Sequence, residues 1–153
     1  MIPAHNEETL IAKCVESIIR TNYPVLEVIV VDDRSTDGTV EAVSKYNLTL
    51  VKRARRGGIA AARNDGIRVA RGEVVAFVDA DCTVDVNWLS FLTSHFADKN
   101  VAGAGGVIRA KHTGLIATYR SFRERERWSD AKKPTEVMFL PGGNSCYQTK
   151  VLR

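Results

Sequence analysis

Apolar and polar residues along the chain follow two different periods, one typical of amphipathic helices and one typical of buried strands. Apolar side chains that recur every three or four residues indicate a helix with one buried face. This pattern covers four segments, 7–21, 59–70, 88–96 and 115–128. Short apolar runs predict strands instead, and they cover 27–31, 48–51, 74–78 and the Gly-rich 101–109. A further short helix is expected around Val40 and Val43.

The order of these elements, in which helices alternate with strands, is typical of one class of fold. Strands separated by helices of this length form a mostly parallel sheet that helices cover on both faces. We therefore predict an α/β fold with a Rossmann-like sheet. Asn6 is the expected N-cap of the first helix, with Glu7 and Glu8 in its first turn, and Gly72 is expected to stop the helix over 59–70.

Length and composition are those of one ordinary globular domain. The chain has 153 residues, of which 44% are hydrophobic and 26% charged, with 11 Gly and 4 Pro. These values exclude a disordered, collagen-like or coiled-coil protein. The apolar runs are too short to span a bilayer, no leader opens the chain, and the three cysteines are widely spaced without a CxxC pair. We therefore expect a soluble protein of a reducing, cytoplasmic compartment.

Two basic segments stand out from an otherwise weakly acidic chain of net charge +4. Residues 52–56 hold four Lys and Arg, and residues 120–133 hold six against three acidic residues. Such segments favour a localised anionic partner. Nucleic acid is not the expected one, because aromatic residues make up 7% of the chain and the Arg and Glu at 123–127 are spaced to pair within a helix. For 52–56, the alternatives are an anionic lipid-phosphate acceptor or the inner face of the membrane, and a solvated surface.

Acidic residues follow the two most apolar of the predicted strands, 27–31 and 74–78. They lie at the edge of a parallel sheet where ligands bind. Asp32 and Asp33 follow the first of these strands, and Asp79 and Asp81 follow the second. Side chains two apart on an extended segment face the same way, so Asp79 and Asp81 are expected to share one site. By the same rule Asp32 and Asp33 face opposite ways, so that at most one reaches a ligand and the other caps a turn.

Carboxylates repel phosphate groups, so a phosphate-containing ligand at this edge requires a cation between them. Three acids within a short stretch, Asp79, Asp81 and Asp85, favour a metal site over carboxylates that only cap turns. Mg²⁺ or Mn²⁺ suits oxygen ligands of this kind and requires neither Cys nor His. Such a cation would neutralise charge on a departing diphosphate as a Lewis acid.

Five short motifs occur in an order and spacing that resemble a known family. They are PAHNEE at 3–8, VVDDRSTDGT at 30–39, ARN at 62–64, the stretch from GE to DAD at 72–81, and PGGNS at 141–145. Together they resemble the family-2 glycosyltransferases of GT-A fold, and the resemblance covers essentially the whole chain. It implies an inverting, metal-assisted transfer of a sugar from a UDP- or GDP-type donor to a hydroxyl of a glycan or lipid-linked acceptor.

The resemblance also implies roles for individual residues. The residues that would bind the nucleotide sugar are Pro3, Ala4, His5, Glu7, Asp33, Arg63, Asp79 and Ala80. In this set His5 and Asp33 would contact the base, Glu7 would lie near the ribose, Asp79 would contact the ribose or the metal, and Arg63 would lie near the diphosphate. Asp81, with Asp79, would hold the Mn²⁺ or Mg²⁺. The acceptor side would be formed by Gly142, Gly143 and Asn144.

Simpler structural roles remain open for several of these residues. His5 would then cap the first helix, and Arg63 would be a solvated residue on an Ala-rich helix. The pair Gly142-Gly143 would form a tight turn, although glycine also lets the backbone approach a sugar closely. Trp88 and Phe96 are expected in the core.

The general base that an inverting transfer needs is expected outside the chain. In the family it belongs to a Glu-Asp type motif downstream of the acceptor segment, which would place it beyond Arg153. We therefore expect residues 1–153 to be the nucleotide-sugar-binding part of a domain truncated at both ends. The alternative is a non-catalytic nucleotide-sugar-binding module or fragment. A sugar-nucleotidyltransferase and a dinucleotide-dependent oxidoreductase are disfavoured, because the Gly-rich phosphate loop of either is missing near the N-terminus.

Overall fold

The computed structural model describes residues 1–109 and 142–153, and its elements alternate as the sequence predicts. The strands are β1 (Ile2–Ala4), β2 (Ile29–Asp32), β3 (Thr49–Lys52), β4 (Val74–Val78), β5 (Gly103–Gly105) and β6 (Asn144–Gln148). The helices are α1 (Ile11–Ile19), α2 (Thr39–Val43), α3 (Gly58–Val69), α4 (Trp88–Ser94) and α5 (Thr149–Leu152), with a 3-10 helix at His95–Ala97. Among these helices, none has the length and apolarity needed to cross a bilayer. The helix expected over 115–128, the basic segment 120–133 and Pro141 lie outside the described residues.

The strands form a parallel half and an antiparallel half that meet at β1 and β4. β1, β2 and β3 are parallel neighbours in that order, and β6 lies antiparallel between β4 and β5. Met1 N donates to Ala76 O at 2.6 Å, and Val78 N donates to Met1 O at 3.2 Å. Met1 thus bonds to the two residues that flank Phe77, which is the hydrogen-bond pattern of parallel strands. The predicted α/β fold with a mostly parallel sheet is therefore confirmed.

Alternate side chains of β2 face two different cores. Val30 packs with residues of α1 and α2, whereas Ile29 and Val31 pack with residues of α3. All three side chains are buried, and burial of each is worth about 1.5–3 kcal/mol. Helices thus cover both faces of the sheet, which explains why this strand is apolar at three consecutive positions before it ends at Asp32.

Two of the cysteines are core residues. Cys14 packs on one face of the sheet with the residues of α1, and Cys146 packs beside Leu92 and Ala104. Burial raises the pKa of each thiol to about 12. Both thiols therefore stay protonated at neutral pH and behave as small apolar side chains.

The first helix begins later than predicted, because its apparent first turn belongs to a loop. α1 begins at Ile11 rather than at residue 7. Asn6 is not its N-cap, since the φ of Asn6 is 57° and its Oδ1 accepts a hydrogen bond from Thr36 N at 2.8 Å. The polar residues before α1 bind another loop, and the local pattern contains no sign of that loop.

Two other boundaries also differ from the prediction. α3 ends at Val69 and the next residue, Ala70, is already extended, so the helix stops before it reaches Gly72. Of the strand expected over 101–109, β5 keeps Gly103–Gly105, which are the residues that pair with β6.

Candidate functional site

The loops that follow β1, β2 and β4 meet at one edge of the sheet. Asp33 N donates to Ala4 O at 2.8 Å, and His5 Nδ1 lies 3.0 Å from Asp33 O. The ring of His5 thus contacts the end of β2, while the N-cap position of α1 is Leu10. At the end of β4, Asp79 O accepts a hydrogen bond from the Sγ of Cys14 at 3.5 Å. The strand ends predicted to bind the donor are therefore neighbours, at the edge where ligands bind in parallel sheets.

Side chains tie the β1–α1 loop to the β2–α2 loop. Thr36 N donates to Asn6 Oδ1 at 2.8 Å, and Glu7 N donates to Thr39 Oγ1 at 2.8 Å. Asn6 and Arg34 have left-handed φ values of 57° and 61°. Such a conformation costs a non-glycine residue about 1–3 kcal/mol and persists only when surrounding contacts hold it. These contacts fix the backbone of Glu7 at the site edge.

Asp33 is held by its own chain on several sides. Its side chain is 5% exposed. The carboxylate accepts hydrogen bonds from Arg53 Nη1, from Gly57 N at 2.9 Å and from Gly58 N at 2.7 Å. Burial by itself would raise the pKa of Asp33, but the hydrogen bonds from Gly57, Arg53 and Gly58 outweigh it and hold the pKa below its ordinary value. The residue expected to contact the base thus also anchors the start of α3.

The neighbouring carboxylate, Asp32, caps a turn. Its two oxygens lie 3.2 and 3.3 Å from the backbone nitrogen of Ser35, which donates to them. Its backbone carbonyl accepts from Arg53 N at 3.0 Å and so extends the pairing with β3. The two adjacent aspartates therefore separate into different roles, as their spacing predicts.

The basic segment 52–56 is not uniformly a surface feature. The Arg53 side chain is 14% exposed, and its Nε donates to Asp65 Oδ2 at 2.6 Å while Nη1 donates to Asp33. The hydrogen bonds to Asp65 and Asp33 hold the pKa of Arg53 above its ordinary value. Arg55 and Arg56 are exposed, and their contact with an anionic surface stays a prediction.

Residues from three separate motifs come together beside β4. Arg63 Nη2 donates to Asp79 Oδ1 at 2.9 Å, and the Arg63 guanidinium lies 5.8 Å from the centre of the Phe77 ring. A Cβ built on Gly142 would lie 2.5 Å from Arg63 Nη1, and one built on Gly143 would overlap Asp79 Oδ2. A side chain at either position would therefore displace its neighbour, the Arg63 guanidinium at Gly142 and the Asp79 carboxylate at Gly143.

The acidic motif after β4 forms a turn rather than the extended segment that was predicted. β4 ends at Val78, and Cys82 N donates to Asp79 O at 3.0 Å. Asp81 lies in this turn and is exposed. Asp85 Oδ1 accepts a hydrogen bond from Asn87 N at 2.9 Å just before α4. Since no three acidic side chains of the described residues assemble as a metal site, the expectation of three carboxylates at one site is wrong.

The carboxylates of the acidic motif lie close enough to Glu7 to affect its pKa. Desolvation raises the pKa of Glu7, and the negative charges of Asp81, Asp37 and Asp79 raise it further. Several acidic side chains therefore place negative charge beside Glu7.

A divalent cation fits this part of the site. Over 1–109 and 142–153, no group of three or more His, Cys, Asp or Glu side chains is assembled as a metal site. Asp79 and Asp81 supply hard oxygen atoms, and the surrounding negative charge favours a cation. Mg²⁺ and Mn²⁺ commonly bind through one or two carboxylates together with substrate phosphates, and Asp79 and Asp81 supply the carboxylates of such a donor set.

The side chain of Asn144 forms hydrogen bonds with two other parts of the protein. Trp88 Nε1 donates to Asn144 Oδ1 at 2.7 Å, and Asn144 Nδ2 donates to Val107 O at 3.1 Å. Its side chain thus joins α4 to the segment that follows β5. Trp88 packs partly buried against the core, as expected, but its indole nitrogen also positions Asn144.

Some residues of the site were missed by the sequence analysis. Gly57 and Gly58 bind Asp33 through backbone nitrogens, and Phe77 packs under Arg63. A Gly-Gly pair directly before an Ala-rich helix was a usable signal, since glycine allows such close approach. Ala4 and Ala80, by contrast, are core residues, so any contact with a donor would come from their backbone.

Comparisons with known proteins agree with this architecture. The model of glycosyl transferase family 2 matches residues 1–153. The poly(ribitol-phosphate) beta-glucosyltransferase of Bacillus spizizenii is 32% identical over 119 residues, which are 70% of this chain and 19% of the relative.

Two solved structures share the fold along nearly the whole chain. The mannosyltransferase PcManGT from Pyrobaculum calidifontis, in complex with GDP-Man and Mn²⁺, matches with a TM-score of 0.77 and 30% identity over 99% of this chain and 44% of that one. S. aureus TarS 1-349 in complex with UDP-GlcNAc matches with a TM-score of 0.71 and 26% identity over 99% of this chain and 45% of that one.

This chain therefore spans less than half the length of each of these relatives. The expected GT-A-type architecture is confirmed by the solved neighbours. With a match over all of its residues, the chain belongs to glycosyl transferase family 2.

Proposed function

We propose that this chain is the nucleotide-sugar-binding part of a glycosyltransferase that moves a sugar from a nucleotide-diphosphate donor to an acceptor hydroxyl. The observation that carries the proposal is the meeting of Arg63, Asp79 and Gly142–Gly143 at the sheet edge that also carries Asp33 and Asp81. A basic side chain, acidic side chains and glycines that leave room for a ligand at one edge suit a molecule that combines a diphosphate with a sugar.

The nucleotide end of the donor would lie over the ends of β1 and β2. His5 and Asp33 are the proposed contacts of the base, and Glu7 is the proposed contact of the ribose. Pro3 and Ala4, both buried, would shape this surface through the backbone. The ties between the two loops support the assignment, because a preorganised surface loses less entropy on binding.

The diphosphate would lie over the end of β4, where Asp81 and Asp79 would hold Mn²⁺ or Mg²⁺. The bound cation would neutralise the charge that develops on the departing diphosphate. A Mn²⁺ and a GDP-sugar are bound together in the related PcManGT, which supports a cation here.

The acceptor would approach from the side of Gly142, Gly143 and Asn144. Transfer would invert the anomeric centre, because the acceptor oxygen attacks from the face opposite the diphosphate. One carbon–oxygen bond then forms as the bond to the diphosphate breaks, and a general base takes the hydroxyl proton. A glycan or a lipid-linked acceptor is the proposed acceptor.

Titration calorimetry of the chain with UDP and with GDP, each with and without Mn²⁺, tests the proposal. We expect at least one nucleotide to bind, and to bind more tightly with Mn²⁺. Asp81→Asn should remove the Mn²⁺-dependent gain. Asp98→Asn is the matched control, because Asp98 is also an exposed aspartate but lies just before β5, away from the ends of β1, β2 and β4. Equal affinity with and without Mn²⁺ would reject the cation, and no binding of either nucleotide would reject the proposal.

A further inference from the structure

We propose that Arg63 is a resident counter-ion of the cation site, which neutralises Asp79 until a divalent cation displaces it from that carboxylate. The inference rests on the proposed function, since it concerns the same Asp79. It makes Arg63 a positioning residue that keeps the acidic edge ordered and limits its affinity for free metal.

The guanidinium of Arg63 is fixed on three sides. Nη2 donates to Asp79 Oδ1 at 2.9 Å, the Phe77 ring lies 5.8 Å away on one face, and Gly142 lies so close that a Cβ built on it would be 2.5 Å from Nη1. The side chains of Arg63 and Asp79 are 22% and 36% exposed. The pair is thus ordered yet accessible to a ligand from solvent.

Arg53, Arg63 and Arg68, which lie on or just before α3, form ion pairs with different acidic residues. Arg53 pairs with both Asp33 and Asp65, and Arg68 pairs with Asp65. Within the described residues, the ion pair of Arg63 is with Asp79. The partner of Arg63 is therefore a proposed metal ligand, whereas the other two arginines pair with acids on or anchored to α3.

The rest of the Arg63 side chain is poorly satisfied. Its Nε is buried, and within the described part of the chain it has no hydrogen-bond partner, as is also true of Ser145 Oγ. Ser145 lies opposite Phe77 in the antiparallel pairing, so its side chain is on the same face as the Phe77 ring. Because an unpaired buried N–H is costly, this nitrogen is a donor that a bound ligand can satisfy.

A cation and Arg63 would compete for the same carboxylate. Asp79 and Asp81 carry two negative charges and Arg63 one positive charge, so a cation arriving without a nucleotide meets a partly neutralised site. Once displaced from Asp79, the guanidinium is free to bind a phosphate oxygen, which a planar N–H fork suits. Metal binding without nucleotide should therefore be weaker than the carboxylates alone would allow.

Electron paramagnetic resonance titration of free Mn²⁺, without nucleotide, tests this inference. Arg63→Gln should bind Mn²⁺ about three- to tenfold more tightly than the wild type, because one positive charge near the site is removed. Arg63→Lys, which keeps the charge, should stay close to wild type. Arg68→Gln is the matched control, because it removes the same charge from an exposed position of the same helix and should change little.

A merely structural role of Arg63 predicts the opposite result, since a disturbed site would bind Mn²⁺ less well. Equal affinity of Arg63→Gln and wild type, weaker binding, or no Mn²⁺ binding by any variant would each overturn the inference. In the last case, Mn²⁺-dependent nucleotide binding would still support the proposed function, so the two failures are distinguishable.

A second measurement uses the wild type, in case Arg63→Gln does not fold. The Nε–H resonance of Arg63, assigned by its loss in Arg63→Lys, should shift when diamagnetic Mg²⁺ is added, and that of Arg68 should not. An Arg63 resonance that ignores saturating Mg²⁺ would overturn the inference.

Discussion

Asp33 and Asp79 occupy equivalent places in the sheet, since each is the first residue after a strand and each pairs with an arginine. Their surroundings differ. The Asp33 side chain is 5% exposed and accepts two backbone N–H groups besides Arg53. The Asp79 side chain is 36% exposed, pairs with Arg63 and packs on Gly143.

These surroundings make one carboxylate rigid and leave the other able to change partners. A buried, fully hydrogen-bonded carboxylate stabilises its loop but is costly to rearrange. A half-exposed ion pair contributes little to stability and exchanges partners easily. By this reasoning Asp33 is the rigid carboxylate of the two, which organises the start of α3 and is a fixed point for the proposed contact with the base, whereas Asp79 can change partners.

Truncation of each aspartate to alanine should give the largest contrast in stability. Asp33→Ala should lower the free energy of unfolding by about 2–4 kcal/mol, because it leaves Arg53 and two backbone N–H groups without this partner. Asp79→Ala should lower it by less than about 1 kcal/mol. Urea unfolding followed by circular dichroism measures both, and similar losses for the two variants would contradict the distinction.

The contact between Asp79 and Gly143 offers the next largest effect. Gly143→Ala places a Cβ on Asp79 Oδ2, so the carboxylate or the backbone must move. We expect a loss of about 1–3 kcal/mol in stability and weaker Mn²⁺-dependent nucleotide binding. In Gly72→Ala, the control, the added Cβ meets Val74 O at 3.1 Å and the nucleotide site is remote, so nucleotide affinity should not change. If Gly143→Ala has the stability and the Mn²⁺-dependent nucleotide affinity of the wild type, the position of the carboxylate does not depend on this glycine.

The pH dependence of stability gives the smallest and most specific contrast. The pKa of Asp33 is lowered by folding, so its stabilisation is present above its unfolded pKa of about 3.9 and is lost as the pH falls. Asp33→Asn should therefore flatten the acid limb of the curve of unfolding free energy against pH.

Glu7 should behave in the opposite sense, because desolvation and its acidic neighbours raise its pKa in the folded state. Its ionised form is destabilising, so Glu7→Gln should be slightly more stable than wild type at neutral pH. The gain should disappear below about pH 4, where the unfolded carboxyl is also protonated. A gain that persists at low pH would point to packing rather than charge.

Strong local patterns were enough to predict most of the sheet. β2 and β4 are short apolar runs, and their buried residues and the aspartates that follow are where the sequence places them. The parallel arrangement follows from the intervening helices, because a crossover connection is needed to return the chain to the same edge. The carboxyl edge was therefore predictable as the site.

Contacts between distant segments were not predictable in the same way. Residues 52–56 form one basic run, yet Arg53 is turned inward by Asp33 and Asp65 while Arg55 and Arg56 stay in solvent. The first turn expected for α1 is a loop, because Asn6 binds Thr36 across the edge. In both cases the partner lies far away along the chain, and local periodicity carries no record of it.

The α/β class, the strand ends that carry the acids and the family can all be read from the amino-acid sequence, because they depend on local hydrophobic period and on motif order. The use of each acid depends on the folded sheet. Asp32 caps a turn, Asp33 is buried with Arg53, and Arg63 and Gly143 lie against Asp79. These partners differ because each carboxylate pairs with the side chains that folding brings within hydrogen-bonding distance, and those come from distant parts of the chain.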